Sequence, residues 1–109
     1  MTRDKLLAEL RALEVKLRSP QVQLFFQAKD QETRARFVSL LNVISVTVNR
    51  LSNDQLVGIA DQLTALDGDL KAGIANVKDA IKDLNDAIAV LNTISSILGI
   101  VGRVVGLVI

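Results

Sequence analysis

The strongest constraint on this chain is its last stretch, residues 91–109, LNTISSILGIVGRVVGLVI, in which Arg103 is the only charged side chain. A helix this apolar needs lipid or protein on most sides, because apolar surface removed from water stabilises by about 25 cal/mol per Å². The stretch also holds three glycines, and each costs roughly 1 kcal/mol relative to alanine in a helix interior. The stretch therefore predicts a helix in which the glycines allow neighbouring segments to pack closely against the backbone.

The remaining composition favours helices throughout. Half of the 109 residues are hydrophobic, yet the aromatic residues are three phenylalanines, with no Trp or Tyr and a single proline. Aliphatic content with so little turn chemistry is typical of helices packed on helices. We expect an all-α fold, a small helical bundle or hairpin with a long, apolar, glycine-containing C-terminal helix, and we expect it to be oligomeric.

The chain contains no cysteine and no histidine. Disulfides are excluded, and so are the usual zinc ligands and the usual pairings of a nucleophile with a general base. No constellation of carboxylates or lysines replaces them. We therefore expect no catalytic residue, no cofactor, no metal site and no small-molecule substrate, and we do not expect an enzyme.

The charge is distributed unevenly. Residues 1–50 carry nine Lys and Arg against five Asp and Glu, a net +4, whereas residues 51–109 carry four against seven, a net −3. Unlike halves of neighbouring molecules could attract each other, and the N-terminal half could favour an anionic membrane surface. Nucleic acid is not an expected partner, because no dense basic stripe or aromatic stacking platform accompanies the positive half.

Residues 1–51 are expected to form amphipathic helical segments. Thr2 or Asp4 can cap a first helix with one leucine stripe, and Ser19 can cap a second that begins at Pro20. The piece NVISVTVN, residues 42–49, is β-branched and partly alternating, but we prefer a helix because the chain offers it no strand partner. No repeat of 20 to 50 residues is evident.

Residues 52–86 are expected to form a water-facing amphipathic helix. Ser52-Asn53-Asp54-Gln55 has the spacing of a capping box, and Asp67-Gly68-Asp69 and Gly73 are the places where the helix would bend. From residue 70 a heptad pattern gives it one apolar edge with charged side chains elsewhere. The predicted packing seam along this edge consists of Leu70, Ile74, Val77, Ile81, Leu84, Ile88 and Leu91.

The pattern inverts near residue 90, within the predicted C-terminal helix 87–109. The seam passes into a predicted small-residue interface made of Ser95, Gly99, Gly102 and Gly106, while positions that were charged become the outward-facing Ile97, Ile100, Val101, Val104, Val105 and Val108. Small residues inside and aliphatic residues outside are typical of a helix in a membrane bundle. Three polar side chains are expected to face a lumen or lipid headgroups, namely Asn92, Ser96 and Arg103.

The 23 residues 87–109 would span about 34 Å as a helix, enough to cross a hydrocarbon core of about 30 Å. Gly102 and Gly106 form a GxxxG match in an apolar context. The alternative is a helix buried in a soluble oligomer, where glycines mark the approach of neighbours. Burial within a single chain is the least expected outcome, because the other helices offer little surface to enclose such a helix.

These observations predict a non-enzymatic, self-assembling helical protein that inserts or docks its C-terminal helix in a membrane, with a pore as one form of this activity. The alternative is a soluble structural or adaptor subunit whose apolar helix is buried in a homo- or hetero-oligomer, such as a filament or a secretion-type assembly. The expected partners are further copies of the chain and a lipid membrane. The charged N-terminal residues show no apolar core of a leader, so we expect no cleavable signal peptide. We therefore expect synthesis in the cytoplasm and membrane association, or a cytoplasmic assembly in the alternative.

Overall fold

Six α-helices make up the described part of the protein, which is residues 1–53 and 59–106 of a computed structural model. No strand is present within these two ranges, so the predicted all-α fold is confirmed, including the helix through residues 42–49. The helices are α1 Arg3–Leu17, α2 Pro20–Gln27, α3 Gln31–Leu51, α4 Ile59–Ala65, α5 Asp67–Lys82 and α6 Ala87–Val105.

Side-chain caps fix where several of these helices begin. The Thr2 hydroxyl accepts a hydrogen bond from the Lys5 amide at 3.1 Å, and the Asp30 carboxylate accepts one from the Thr33 amide at 3.2 Å. Ser19 precedes Pro20, which occupies the first turn of α2 as predicted. A cap of this kind satisfies amides that have no partner inside the helix and contributes about 1 kcal/mol. The helix starts are therefore largely local properties of the sequence.

The predicted capping box is wrong at its first residue. Ser52 has helical backbone angles, and its hydroxyl donates a hydrogen bond to the Val48 carbonyl at 2.7 Å. It therefore ends α3 instead of starting the next helix, since a residue that caps an N-terminus has an extended backbone. Asp54 and Gln55, the remainder of the predicted box, lie outside the described residues.

The chain bends directly before the predicted Asp67-Gly68-Asp69 stretch and does not bend at Gly73. Leu66 interrupts the helix between α4 and α5, and residues 83–86 turn the chain back between α5 and α6. Gly73 lies inside α5, where it has a packing role: a Cβ added there would come within 2.7 Å of Ile97 Cδ1 on α6. Because Gly73 has no side chain, α5 can lie close to α6 at this position without bending.

The four longer helices form a four-sided bundle in the order α1, α3, α6, α5, with each helix packed on the next and α5 packed on α1. The bundle measures 42 × 22 × 20 Å along its principal axes. The short α2 packs on α1 and α3, and the short α4 packs on α6, α1 and α5. Of the four sides, the one between α1 and α5 is the least closely packed.

Named contacts give the directions of these helices. Met1 pairs with Asp67 and Glu9 pairs with Lys78, so α1 and α5 run parallel. The short turn at 83–86 makes α6 antiparallel to α5, and Gly73 meets Ile97 across this pair. Because α1 and α3 are also antiparallel, with Arg3 reaching the Asn53 carbonyl and Arg18 reaching Ser45, α3 and α6 run in the same direction.

The core is built around α6. Its buried side chains include seven that are at most 3% exposed, namely Val90, Leu91, Ile94, Ile97, Leu98, Val101 and Val105. At the end next to α2, the Phe26 ring stacks on the Phe37 ring with centroids 4.1 Å apart. The buried Thr47 hydroxyl donates to the Val43 carbonyl at 2.7 Å, so this polar group is satisfied inside the core.

The burial pattern of α3 recurs in α6, fifty residues later. Residues 37–51 and 87–101 show the same order of buried, half-buried and exposed side chains at 13 of 15 positions. The matched stretches contain LNVIS at 41–45 and LNTIS at 91–95. Both helices therefore present an equivalent face to the core.

Residues 6–17 of α1 also resemble residues 59–70, which span α4 and the start of α5, at an offset of 53 residues. The ion pair of Glu14 with Arg18 has its counterpart in Asp67 with Lys71, four residues apart in both cases. Residues 6–51 and 59–101 are therefore two weakly similar units in burial pattern and in the spacing of one ion pair. Four residues are identical between 6–17 and 59–70: Leu10 and Leu63, Ala12 and Ala65, Leu13 and Leu66, Leu17 and Leu70.

Candidate functional site

Helix α6 is the segment that the sequence singles out. Asp86 caps its start, where one carboxylate oxygen accepts from the amides of Ile88 and Ala89 at 3.1 and 3.2 Å. The helix has 19 residues with a mean hydropathy of 1.8, so its length of about 28 Å is close to a hydrocarbon core of about 30 Å. Half of its most apolar window is buried inside the protein. Length and hydropathy are therefore compatible with a membrane span and equally with a core helix.

The expected orientation of the α6 aliphatic residues is wrong in this structure. Val101, Val104 and Val105 are at most 5% exposed and Ile97 is fully buried, while Ile100 is half-buried against the core. They face inward because α3, α4 and α5 enclose this side of α6. Among the described residues, the same chain thus covers this aliphatic side of α6, and Val108 lies outside the described residues.

The predicted packing seam is divided by the turn at 83–86. Leu70, Val77, Ile81 and Leu91 are buried, Ile74 and Leu84 are half-buried against the core, and Ile88 is 50% exposed. Ile88 leaves the core because α6 starts a new helical phase at Ala87 and does not continue the phase of α5. A heptad pattern that is continued across a turn does not predict which side chains of the next helix are buried.

The predicted small-residue interface is only partly exposed. Ser95 and Gly99 are half-buried, Gly102 is buried and Gly106 is exposed. A Cβ added at Gly99 would meet no atom within 4 Å. This face of α6 therefore has free space that no helix of the same chain fills.

Gly106 has a local role that the GxxxG match does not describe. Its φ of 76° is left-handed, and its amide donates to the Gly102 carbonyl at the end of α6. Glycine is favoured in this position because a side chain is sterically disfavoured at positive φ. The helix thus ends at the glycine that the sequence places inside a packing motif.

The three polar residues predicted for a lumen or headgroups lie on the exposed side of α6. Asn92 accepts a hydrogen bond from Arg36 of α3 at 2.8 Å, and Ser96 lies beside Gly73 and Thr93 in a shallow depression. Arg103 is exposed and forms no ion pair with the described residues. The structure thus places these three side chains in water.

A further feature lies on the loosely packed side of the bundle. Between α1 and α5 there is a half-open apolar groove with a volume of about 320 Å³, which is at the lower end of the range of about 300–1,000 Å³ for small-ligand sites. We call it the α1/α5 groove. Its lining includes the apolar side chains Leu10, Leu13, Ile74, Val77, Ile81 and Ile97 and the small side chains Ala8 and Ala12.

Spaces lined partly by lysines adjoin the α1/α5 groove at both ends. Towards residue 1 the adjoining space is lined by Lys5, Lys71 and Lys78, and towards residue 82 it is lined by Lys16, Lys78, Asp79 and Lys82. Lys78 forms an ion pair with Glu9 at 2.8 Å across the groove. An apolar floor is thus flanked by lysines along both helices.

Two carboxyl groups outside the groove have shifted pKa values. The terminal ammonium of Met1, followed by Lys71, lowers the pKa of Asp67 through hydrogen bonds. Hydrogen bonds from Thr33 lower the pKa of the cap residue Asp30. Both shifts come from ordinary ion pairing and capping, so they do not indicate acid–base catalysis.

The described residues hold no group of three or more His, Cys, Asp or Glu side chains placed to bind a metal ion. Comparison with protein-family models, with curated proteins and with solved structures gives no match to this chain. Its function must therefore be argued from its own surfaces.

Sequence reasoning missed the α1/α5 groove because the residues that form it come from two helices that are far apart in the chain. Ala8 and Ala12 repeat at a spacing of four between buried leucines, and Lys71, Lys78 and Lys82 lie along one helix. The alanine spacing in α1 and the lysines of α5 are each visible in the sequence. They form one groove only because α1 packs parallel to α5.

Proposed function

We propose that the protein is a non-enzymatic helical binding protein, in which α6 is the structural core and the α1/α5 groove is the binding surface. The observation that carries this proposal is the groove itself: an apolar channel left open between two helices whose other neighbours pack closely. Apolar surface exposed in a concave channel is favourable to cover. The groove would take an apolar chain or side chain, and its floor would supply most of the binding energy.

The burial of α6 supports its role as the core. Eight of its buried side chains are large aliphatic ones, and each contributes about 1.5–3 kcal/mol when removed from water, so their total is on the order of 10–20 kcal/mol before entropy is subtracted. A domain has a net stability of about 5–15 kcal/mol. Removing α6 would therefore unfold the bundle in water.

Filling the groove tests this proposal. Ala12 is exposed and lines the groove, so Ala12→Trp should occupy the channel without disturbing the core. Ala35→Trp, on an exposed position of α3 outside the groove, is the matched control. We expect a neutral apolar fluorescent probe, Nile red, to bind the parent protein and the control and to lose at least tenfold in affinity for Ala12→Trp.

Equal binding by all three proteins would place the probe elsewhere and contradict the proposal. Circular dichroism and thermal unfolding check that each variant is folded, and Ala8→Trp provides a second blocking variant on the same floor.

A second candidate function, insertion of α6 into a membrane, is supported by the length and hydropathy of this helix. In this mechanism α6 stays buried in the bundle until lipid replaces the protein that surrounds the aliphatic face of the helix. The apolar surface that leaves the core would be covered again by hydrocarbon. Arg103 is the main charge to be moved, and it costs about 2.5–3.5 kcal/mol at the centre of a bilayer and less near an interface.

Introduced tryptophans can distinguish insertion from surface binding, because the chain has no tryptophan of its own. Ser96 of α6 and Val46 of α3 are both exposed and occupy equivalent positions in the two units. If α6 inserts, lipids brominated on their chains should quench Ser96→Trp fluorescence much more than Val46→Trp fluorescence. Equal quenching, or intact protein that fails to float with liposomes, would refute insertion.

Self-assembly through the exposed small face of α6 is the remaining part of the prediction from sequence. Gly99→Leu adds bulk where the monomer has free space, so it should leave the fold intact and weaken any oligomer built on this face. Sedimentation velocity measures the result. A parent protein that sediments as a monomer at high concentration would rule out this interface.

A further inference from the structure

We infer that the ligand of the α1/α5 groove is a free amphiphile with a single hydrocarbon chain and an anionic headgroup, such as a fatty acid carboxylate. This inference rests on the proposed function and specifies its ligand. The structure offers such a molecule two matched features: an apolar channel between the helices and lysines along the edges.

The depth of the floor favours a single chain that enters the groove. Val77, Ile81 and Leu10 line the channel and are at most 8% exposed. A flat binding partner would contact only the outer faces of α1 and α5, and it would leave these three side chains uncovered. A linear chain lying between the helices would contact all three, because α1 and α5 run parallel along the channel.

The edges of the groove favour an anion. The channel and the two spaces adjoining it are lined by Lys5, Lys16, Lys71, Lys78 and Lys82 and by two carboxylates, Glu9 and Asp79. Five positive charges against two negative ones leave an excess of three positive charges along the lining. A cationic headgroup would be repelled by this excess, and a neutral one would gain nothing from it.

Three of these lysines are available to a headgroup, Lys5 alone at one end of the groove and Lys16 with Lys82 at the other. Lys78 is paired with Glu9 at 2.8 Å, and Lys71 with Asp67 at 3.0 Å. Lys16 and Lys82 form no ion pair within the described residues, and both line the space beyond the Ile81 end of the channel. A carboxylate placed at this end would meet both ammonium groups, while its chain extends along the floor towards Ile74.

Isothermal titration calorimetry with three ten-carbon amphiphiles below their micellar concentrations tests the inference. Decanoate is anionic, decanol is neutral and decyltrimethylammonium is cationic. We expect decanoate to bind with one molecule per chain, decanol to bind about tenfold more weakly, and decyltrimethylammonium to bind least. The double variant Lys16→Gln, Lys82→Gln should lose about tenfold for decanoate, close to 1.4 kcal/mol, and nothing for decanol.

The controls separate the ligand class from the groove itself. Arg34→Gln removes an exposed charge on α3 away from the groove and should leave decanoate affinity unchanged. Equal affinity for decanoate and decanol, together with no effect of the two lysine substitutions, would contradict the anionic headgroup. It would still be consistent with the groove as the binding site. Binding of all three amphiphiles that is insensitive to Ala12→Trp, or no binding at all, would overturn the groove as well.

Anionic vesicles distinguish the free amphiphile from a bilayer surface. If vesicles of phosphatidylglycerol bind the protein through the groove, decanoate should compete with them. The Ala12→Trp variant, whose groove is filled, should bind the vesicles more weakly than the parent protein. Vesicle binding that neither decanoate nor Ala12→Trp reduces, combined with no decanoate binding in solution, would mean that the lysines recognise a charged surface and would refute the inference.

Discussion

The close approach of α5 to α6 at Gly73 gives a quantitative prediction. Gly73→Ala would place a Cβ at 2.7 Å from Ile97 Cδ1 and at 3.4 Å from Ile97 Cβ. Favourable contacts between carbon atoms lie at about 3.5–4.0 Å, so the terminal methyl of Ile97 must move by roughly 1 Å. Ile97 is fully buried, and this movement has to occur inside a packed core.

Two opposing effects determine the change in the free energy of unfolding. Alanine is favoured over glycine in a helix interior by about 1 kcal/mol. Overpacking of a core typically costs about 1–3 kcal/mol. We therefore expect Gly73→Ala to destabilise the protein by about 1 kcal/mol, which lowers the melting temperature by about 4 °C for a domain of this size.

A double-mutant cycle with Ile97→Val isolates the contact. Ile97→Val alone removes the methyl group that blocks the new Cβ and should cost about 1 kcal/mol. In the double variant the alanine Cβ fills part of the space left by this methyl group, and we expect stability close to that of the parent. The coupling energy between the two positions should then be about 2 kcal/mol in the favourable direction.

Urea unfolding followed by circular dichroism measures the four proteins of the cycle. Gly99→Ala is the matched control, because Gly99 lies within α6 but an added Cβ there would meet no atom within 4 Å. This control should be more stable than the parent by about 1 kcal/mol. If Gly73→Ala stabilises as much as Gly99→Ala, or if the two changes in the cycle are additive, Gly73 is not a packing requirement and our account of it is wrong.

Three further outcomes follow from the ends of helices and from one ion pair. Asp86→Ala should destabilise by about 1 kcal/mol in urea unfolding, because two amides at the start of α6 lose their acceptor; an unchanged midpoint would mean that water replaces the cap without loss. Gly106→Ala should cost about 1 kcal/mol by the same measurement because of its positive φ, and Gly106→Asn should cost less. The pKa of Asp67 is lowered by the Met1 ammonium and by Lys71, so this carboxylate stabilises the fold above its unfolded pKa of about 3.9 and the stabilisation is lost as pH falls below that value. Asp67→Asn should therefore reduce the pH dependence of unfolding below about pH 4, and an identical acid titration in both proteins would contradict this.

The local structure of the protein could be predicted from its sequence, because local structure depends on neighbours in the chain. Thr2 and Pro20 mark helix starts by their own chemistry, and the β-branched stretch around Ile44 lacks a strand partner. The buried stripe of α1 also follows from leucine spacing alone. These features require no knowledge of which helices meet.

The tertiary arrangement could not be predicted because it depends on which faces pair. The aliphatic residues of α6 have the same composition whether lipid or protein surrounds them, and the sequence does not reveal the enclosing area that α3, α4 and α5 supply. The likeness of the two units is weak in the sequence because they are offset by 53 residues in one part and by 50 in the other, and buried aliphatic residues replace one another freely. The α1/α5 groove was missed because it exists only between distant segments.

The uneven packing of the four sides has a consequence for motion. Helices α3 and α6 form a close side of the bundle, while α1 and α5 on the opposite side pack less closely and are joined by ion pairs at their surface. Fluctuations should therefore separate the α1–α3 hairpin from the α5–α6 hairpin along the α1/α5 side first, with the α3/α6 side acting as a hinge line. Opening in this direction widens the groove before it breaks the core, and hydrogen exchange at exposed amides of α1 and α5 should be faster than in α3 and α6.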